Sequence, residues 1–259
     1  MPEGDVVWRT AQRLHEALAG STLTTNDFRV PQLASTDLTG RLVRDVTPRG
    51  KHLLTRIEPD LTLHTHLQMD GEWRLYQPAT RWRGPISDVR VVLGTHAWQA
   101  IGYRLPVVEL LPTANESRAV GHLGPDLLGP DWDENEALQR LGGAPGRPIG
   151  EALLDQHNLA GIGNLYKCEA LYLRGISPWR PTGAITNMTA VIRLVRRLLD
   201  ANKDRVGQIT TGVARRGEMT WVYGRAGRPC RRCGSQIQRD EQGTAPQQRV
   251  TFWCASCQR

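Results

Sequence analysis

The first residues of the chain, Met1-Pro2-Glu3-Gly4, place two reactive groups side by side. Removal of Met1 would leave Pro2 with a free secondary amine, which can attack the C1′ atom of a sugar and form a cationic iminium directly. An α-amino group has a reference pKa of about 7.7–8, so much of it is neutral near neutral pH. Glu3 adds a carboxylate, and a nucleophile beside an acid/base group suits covalent catalysis. Alone, these residues also fit an ordinary solvated terminus.

Four of the five cysteines form a second reactive group, Cys230-x2-Cys233-x20-Cys254-x2-Cys257. Two CxxC knuckles separated by about twenty residues predict a tetrahedral zinc site with four cysteine ligands on a β-hairpin. All four ligands are thiolates, which leaves no open position for water, so the zinc is predicted to be structural. The alternative, a pair of disulfides, requires an oxidising compartment. The fifth cysteine, Cys168, is expected to be a buried helix residue.

Two further patterns place polar side chains next to glycines. Arg49-Gly50-Lys51-His52 precedes a predicted strand, and a lysine in such a turn is usually a surface residue. Residues 157–163 predict a double turn before a helix that begins at Asn164. Backbone amides at a helix start, together with the Asn164 side chain, can bind an anion. An ordinary helix hairpin fits this double turn equally well.

The stretch His64-Thr65-His66-Leu67-Gln68-Met69-Asp70 combines a strand with a turn. His64 and His66 alternate along the strand and therefore face the same side of it. They could form a metal site, but a packed or hydrogen-bonded pair is the preferred interpretation. Gln68 and Met69 are predicted to lie in the following hairpin, where exposed side chains can enter a nucleic-acid duplex.

A helix directly behind Pro2 and Glu3 would hold them in place. Apolar residues recur there at helical spacing, namely Val7, Ala11, Leu14 and Leu18. We therefore predict a helix with Asp5 as its N-cap and Gly20 after its end. The positive end of its dipole disfavours an ammonium group and so favours the neutral amine of Pro2.

The remaining elements divide the chain into a β part and a helical part. Residues 22–111 contain short apolar runs separated by frequent turns, which is typical of a sandwich or barrel. Residues 121–148 are rich in Gly, Pro and Asp and predict a linker with one short helix near 132–141. Further helices are predicted at 149–155, from 164 to about 174, and around 191–199.

Composition narrows the class of protein. The 259 residues suffice for one large or two modest domains, and 39% of them are hydrophobic. The net charge of +7 makes a polyanion a natural partner. The segment from Gly212 onward contains nine arginines and only three acidic residues, so the predicted zinc hairpin is basic. We find no signal peptide and no apolar run of spanning length, which favours the cytoplasm and argues against a membrane partner.

These patterns occur together, and in this order, in one family. The matching segments are Met1-Pro2-Glu3-Gly4, Arg49-Gly50-Lys51, Leu123-Gly124-Pro125-Asp126, residues 159–164 through Glu169, Val222-Tyr223-Gly224-Arg225, and residues 249–254 of the cysteine hairpin. The chain resembles the formamidopyrimidine-DNA glycosylase and endonuclease VIII family of base-excision repair enzymes over essentially its whole length.

The resemblance implies an α+β fold. It implies a leading helix and an N-terminal catalytic β-sandwich at 1–120, followed by the linker at 121–148. A helical DNA-binding domain with a helix–two-turns–helix motif would occupy 149–215, and a zinc-finger β-hairpin with four cysteine ligands would occupy 216–259.

The resemblance also implies roles for individual residues. Pro2 would be the Schiff-base nucleophile and Glu3 the acid/base acting on the sugar. Lys51 would assist β-elimination and hold phosphate, and Asn164 would hold phosphate at the double turn. Arg249 would clamp phosphate at the lesion and assist δ-elimination.

Within the family the sequence looks like the endonuclease VIII branch, which prefers oxidised pyrimidines. Only residues 212–221 separate Thr211 from Val222, too few for the long loop that covers a flipped 8-oxoguanine. Gln68 fits the Gln-Leu-Tyr trio that fills the hole left by the flipped base, with Met69 as its wedge. Two departures from the pattern are Asp70, which cannot stack as tyrosine does, and His122, which replaces a phosphate-binding arginine.

We therefore predict a monomeric bifunctional DNA glycosylase/AP lyase, cytoplasmic and associated with the bacterial nucleoid, with one structural zinc ion. Its partner would be damaged DNA in duplex, bubble or single-stranded form. The alternatives are a glycosylase for 8-oxoguanine and formamidopyrimidine, and a non-catalytic zinc protein that binds DNA. A pure binding protein would not need Pro2, Glu3 and Lys51.

Overall fold

The computed structural model describes residues 2–245 and 248–259. The chain forms two compact units, the first ending at His122 and the second beginning at Leu123. The helices are α1 (Gly4–Leu18), α2 (Ser117–Val120), α3 (Glu134–Gly142), α4 (Ile149–Leu154), α5 (Asn164–Arg174) and α6 (Met188–Asn202). No helix in these two stretches is long and apolar enough to span a bilayer.

The strands of the first unit form two antiparallel sheets. They are β1 (Thr25–Phe28), β2 (Val43–Arg49), β3 (His52–Ile57), β4 (Leu61–His66), β5 (Glu72–Tyr76), β6 (Val89–Gly94), β7 (Gln99–Tyr103) and β8 (Val107–Pro112). One sheet has the order β1-β6-β7-β5 and the other β2-β3-β4-β8. Both sheets contribute to one hydrophobic core, with Phe28 and Val91 from the first and Leu53 and Leu63 from the second. This confirms the predicted sandwich.

Helix α1 packs its apolar stripe into the same core. Val7, Ala11 and Leu14 are buried there. The predicted N-cap is wrong, because the helix begins at Gly4 and Asp5 already lies in its first turn. Glu3 is the N-cap residue instead.

The predicted hairpin after β4 is also wrong, because β4 and β5 belong to different sheets. Residues 67–71 form a tight crossover in which the Gly71 amide donates to the Leu67 carbonyl at 2.9 Å. A Cβ atom on Gly71 would lie 2.6 Å from that carbonyl oxygen, so the turn requires glycine. Leu67 is buried in the core, which fixes the start of the crossover.

The second unit has a helical core to which α3, α4, α5 and α6 all contribute. The segment that the composition assigned to a linker carries α3, and Ala137 and Leu141 of this helix are buried in that core. Asp133 caps α3 by accepting hydrogen bonds from the amides of Asn135 and Glu136. The domain boundaries given above for this part of the chain stay predictions.

Two glycine-containing motifs pack against each other in the second unit. Asp126 and Ala160 form a parallel bridge, and the Gly124 amide donates to the Gln156 carbonyl at 2.8 Å. A Cβ atom on Gly124 would lie 2.5 Å from the His157 carbonyl oxygen, so only glycine permits this approach. The double turn before α5 is therefore held from outside by the Leu123–Asp126 segment.

The last part of the chain is a two-stranded antiparallel hairpin of β9 (Gln238–Gln242) and β10 (Arg249–Trp253). Its base packs in a third cluster that includes Cys168 and Tyr172 of α5 and Val222. The four-cysteine cluster lies in this part of the fold, as predicted.

Candidate active site and four-cysteine cluster

The N-terminal residues are fixed by the start of α1. Pro2 directly precedes the N-cap residue Glu3, which is only 2% exposed. The Glu3 carbonyl accepts hydrogen bonds from the amides of Val6 and Val7 at 3.0 and 3.1 Å. Pro2 thus lies next to the N-cap of an ordered helix, and an amine exposed there by removal of Met1 would lie near the positive end of the helix dipole.

Lys51 occupies the tip of the turn between β2 and β3. Arg49 and His52 are directly paired across the two strands, so Gly50 and Lys51 alone make the turn. Gly50 has a φ of 58°, a left-handed conformation that favours glycine. This explains why a glycine precedes the lysine.

Imidazole rings surround the base of this turn. Burial, followed by the neighbouring His66, His64, His122 and Lys51, lowers the pKa of His52 to about 3. Burial likewise lowers the pKa of His66 to about 4, with Lys51 as the next largest cause and then His64. At neutral pH both rings are therefore uncharged beside the ammonium group of Lys51.

Two of these histidines belong to a hydrogen-bonded chain. His52 Nδ1 lies 2.8 Å from His64 Nε2, and His64 Nδ1 lies 2.9 Å from Glu109 Oε2. A carboxylate only accepts, so His64 donates to Glu109 and its Nε2 accepts from the Nδ1–H of His52. His64 and His66 are thus linked through His52, not directly bonded, and His66 Nδ1 accepts from the Gln68 amide at 2.9 Å.

Glu109 was not identified from the sequence. The available signal was a single acidic residue in the apolar run that became β8. Its register opposite His64 depends on the pairing of β4 with β8, two strands that are far apart in the sequence.

The three residues Gln68, Met69 and Asp70 lie on the surface of the crossover between the sheets. Met69 is 62% exposed, an unusual position for a large apolar side chain. The loop is tied down because Arg104 Nε donates to the Asp70 carbonyl at 3.0 Å. Gln68 has a φ of 45°.

The predicted site residues of the second unit are close to one another. Asn164 is the first residue of α5 and is 7% exposed. Its Nδ2 donates to the Val250 carbonyl at 2.6 Å, next to Arg249 at the start of β10. The Arg249 side chain is exposed, and its guanidinium donates to the Gln248 carbonyl at 2.7 Å.

The four predicted cysteine ligands form one cluster, with all Sγ atoms within 4.8 Å of one another. Cys230 and Cys257 are 3.9 Å apart, and Cys233 and Cys254 are 3.5 Å apart, so they are not disulfides. A tetrahedral ion with bonds of about 2.3 Å to sulfur holds its ligands about 3.8 Å apart. The cluster therefore has the size and chemistry of a metal site.

Glu169 is a further buried acidic residue, and it shapes the segment before the cysteines. Its carboxylate accepts hydrogen bonds from the amides of Trp221, Val222 and Tyr223 at 2.7 to 2.8 Å and from the Thr210 hydroxyl. Burial raises the pKa of Glu169, and these four hydrogen bonds oppose that effect. The sequence placed Glu169 in a motif but did not predict this function.

Two family models match the chain. Residues 1–103 match the formamidopyrimidine-DNA glycosylase N-terminal domain, and residues 123–211 match the formamidopyrimidine-DNA glycosylase H2TH domain. The chain belongs to the formamidopyrimidine-DNA glycosylase family. The resemblance noted in the sequence is thereby confirmed.

Individual members of the formamidopyrimidine-DNA glycosylase family match over the full length. The "Probable endonuclease 8 2" of Streptomyces coelicolor is 57% identical over 100% of this chain and 94% of its own length. The "DNA-(apurinic or apyrimidinic site) lyase Nei2" of Mycolicibacterium smegmatis is 45% identical over 100% and 99%. Among solved structures, Lactococcus lactis Fpg in complex with DNA containing an abasic site matches with a TM-score of 0.82 and 25% identity, covering 99% of each chain.

Proposed function

We propose that this protein is a bifunctional DNA glycosylase and AP lyase of base-excision repair. The observation that carries the proposal is the placement of Pro2 and the buried Glu3 at the ordered start of α1. The full-length relatives named for endonuclease 8 and for AP lyase activity support it.

The chemistry follows from a secondary amine. The lone pair of Pro2 attacks C1′, the bond to the damaged base breaks, and the base leaves with its electron pair and a proton supplied through Glu3. The C1′–O4′ bond of the sugar ring then opens, O4′ takes up the proton that the amine gives up, and a cationic iminium forms between Pro2 and C1′. The iminium acidifies the C2′ proton, whose loss expels the 3′ phosphate by β-elimination. A second, δ-elimination expels the 5′ phosphate. An amine near an acid/base group is a suitable arrangement for such covalent catalysis.

The other predicted site residues would bind the DNA backbone or fill the space left by the flipped nucleotide. We assign phosphate contacts to Lys51, Asn164 and Arg249, with Lys51 assisting β-elimination and Arg249 assisting δ-elimination. Gln68 and Met69, exposed on the crossover loop, would fill the space that the flipped nucleotide vacates. Extruding a base costs a few kcal/mol and is least costly for damaged or unpaired bases, which is one source of selectivity.

We propose that the substrates are oxidised pyrimidines. The segment between Thr211 and Val222 is short, and the relatives at 57% and 45% identity bear the names endonuclease 8 2 and Nei2. The competing purine-lesion activity is tested with a panel of duplexes that carry thymine glycol, 5-hydroxycytosine, 8-oxoguanine or a formamidopyrimidine. Faster release of the two purine lesions would assign the protein to the other branch.

We further propose that the four-cysteine cluster holds one structural zinc ion. Cys230, Cys233, Cys254 and Cys257 would supply all four ligands, and the ion would stiffen the hairpin that carries Arg249. Because the proposed substrate is chromosomal DNA, we place the protein in the cytoplasm with the nucleoid. We propose that it acts as a monomer.

The decisive experiment is borohydride reduction in the presence of abasic duplex, followed by mass spectrometry of the trapped peptide. We expect the adduct at Pro2 of a chain from which Met1 has been removed. An N-terminal tag that blocks the amine should abolish trapping while DNA binding persists. An adduct at Lys51 or another lysine of the native protein would show that the assignment to Pro2 is wrong.

A further inference from the structure

Three residues in the first turn and a half of α5 contact three consecutive residues of β10. Asn164 Nδ2 donates to the Val250 carbonyl at 2.6 Å, and Lys167 Nζ donates to the Thr251 hydroxyl at 2.6 Å. The Phe252 amide donates to Cys168 Sγ at 3.5 Å. The helix thus follows the strand residue by residue, directly after Arg249.

Helix α5 binds the backbone edge of β10 that does not pair with β9. In an extended strand, the backbone groups of residues two apart point to the same edge. The Val250 carbonyl and the Phe252 amide therefore share one edge of β10, and both are bonded to α5. Arg249 and Thr251 stand opposite Gln242 and Asp240 of β9. Strand β10 is thus held along both edges, by β9 on one side and by α5 on the other.

Lys167 is the unexpected member of this set. Its side chain is 0% exposed, although a lysine is rarely buried unless it is hydrogen-bonded or paired. A buried donor that lacks its acceptor costs free energy. The ammonium group of Lys167 therefore favours the one position of the Thr251 hydroxyl in which their hydrogen bond forms. A lysine at this position therefore fixes Thr251 more strictly than an apolar residue of equal size would.

The bond from Lys167 continues into the body of the second unit. The Thr251 hydroxyl donates to Gln242 Oε1 at 3.2 Å, and Gln242 Nε2 donates to the Pro178 carbonyl at 2.8 Å. A Cβ atom on Gly150 would lie 2.2 Å from Gln242 Oε1, so the Gln242 side chain occupies space that a larger residue at 150 would take. Strand β10 is therefore anchored through Thr251 to Lys167 of α5, and strand β9 is anchored through Gln242 to Pro178.

We infer that Lys167 is a positioning residue for Arg249, acting through Thr251 on the strand that carries the arginine. The inference rests on the proposed role of Arg249 in holding phosphate and assisting δ-elimination. Asn164 shares this function, because its side-chain amide already bonds the Val250 carbonyl next to Arg249. A displacement of about 1 Å in a reacting group can cost about a hundredfold in rate. Small shifts of β10 should thus change the chemistry of the arginine.

The test compares Lys167→Met with the pair Thr251→Val and Thr251→Ser. Methionine retains the length of the side chain and removes the ammonium group, valine removes the hydroxyl, and serine retains it. On a preformed abasic duplex at saturating concentration, Lys167→Met and Thr251→Val should lower the ratio of δ- to β-elimination product about tenfold. Thr251→Ser should keep the wild-type ratio. Because the two groups act through one bond, the double variant should lose no more than either single variant.

Two measurements separate positioning from loss of structure. Zinc content and borohydride trapping at Pro2 should be unchanged in all variants, because they report the hairpin and the first unit respectively. If both single variants, Lys167→Met and Thr251→Val, lose zinc or trapping, the role of the bond is merely structural and the inference is overturned.

A third variant separates this inference from the function on which it rests. If Arg249→Ala loses δ-elimination while Lys167→Met and Thr251→Val both keep the wild-type product ratio, the positioning role is wrong and the role of Arg249 stands. If Arg249→Ala keeps wild-type δ-elimination, the proposed role of Arg249 is wrong, and the inference fails with it.

Discussion

The Nδ1 atom of His52 lies 2.8 Å from the Nε2 atom of His64, and both rings lie beside the turn that carries Lys51. Nε2 of His64 accepts in this bond and Nδ1 of His52 donates, because Nδ1 of His64 already donates to Glu109. Burial, followed by the neighbouring histidines and Lys51, lowers the pKa of His52 to about 3 and that of His66 to about 4. The cluster is therefore a built-in source of acid sensitivity.

We predict that the first unit loses stability as the pH falls from about 6.5 toward 4. An unfolded histidine has a pKa of about 6.5 and binds its proton in this range, whereas the folded His52 and His66 do not. The unfolded state then holds more protons, so the free energy of unfolding decreases with decreasing pH. Replacing His52 by Gln should flatten this dependence in urea unfolding measured between pH 7.5 and 4.5. The exposed His96→Gln is the matched control, and an equal effect of both variants would count against the cluster.

The metal prediction concerns the cysteines. Cys233→Ser removes one of four ligands and should release the ion, because structural zinc contributes about 10–16 kcal/mol of apparent binding free energy in small finger peptides. DNA cleavage should be lost while the first unit keeps its circular-dichroism signal. Cys168→Ser alters the buried cysteine outside the cluster and should retain the metal. A zinc-free protein with full activity would refute the structural role.

The cysteine cluster and helix α5 were predictable because their signals are local. The predicted limits of α5, Asn164 to about Arg174, agree with the observed helix, which begins after Gly163 and ends before Gly175 with a φ of 70°. The four thiols meet because two short knuckles each set a pair, and the hairpin joins the pairs. In contrast, Glu109 and Lys167 became significant through partners 45 and 84 residues away, His64 and Thr251. The periodicity of apolar residues along the chain does not reveal which distant residues meet in the fold.

The crossover at residues 67–71 shows a second limit. The dipeptide Asp70-Gly71 correctly predicts a turn, but a turn does not reveal whether the next strand pairs with the previous one. Leu67 is buried in the core between the sheets, and this burial directs β5 to the opposite sheet. Tertiary packing thus decided the topology that local turn chemistry left open.

A prediction for the crossover loop concerns Met69. Met69→Ala should slow cleavage of a lesion in paired duplex about tenfold more than cleavage in a bubble or single strand, because only paired DNA needs an expelled base to be held out. Single-turnover rates on matched substrates measure this ratio. Ile86→Ala, another exposed apolar residue of the first unit, is the control. Equal losses on both substrates would indicate that Met69 only packs in its loop.

A further prediction concerns salt. Each phosphate contact contributes about −0.9 to the slope of log K against log salt concentration on duplex DNA. Arg249→Ala should therefore make this slope shallower by about one and should lose δ-elimination before β-elimination. Arg239→Ala, on the neighbouring strand β9, should keep the product pattern. An unchanged slope and an unchanged pattern for Arg249→Ala would remove this arginine from the site.

The last prediction separates base release from strand cleavage. Glu3 is buried at the N-cap of α1 beside Pro2, whereas Glu16 is exposed near the other end of the same helix. Glu3→Gln keeps the size of the side chain but cannot transfer a proton. It should therefore suppress release of a damaged base by a factor of about 10² to 10⁴, the usual contribution of a general acid or base. At a preformed abasic site no glycosidic bond has to break, so part of the β-elimination and the borohydride trapping at Pro2 should survive. Glu16→Gln should behave like the wild-type protein on both substrates. If Glu3→Gln loses trapping and base release to the same extent, the carboxylate serves the amine itself and not the departure of the base.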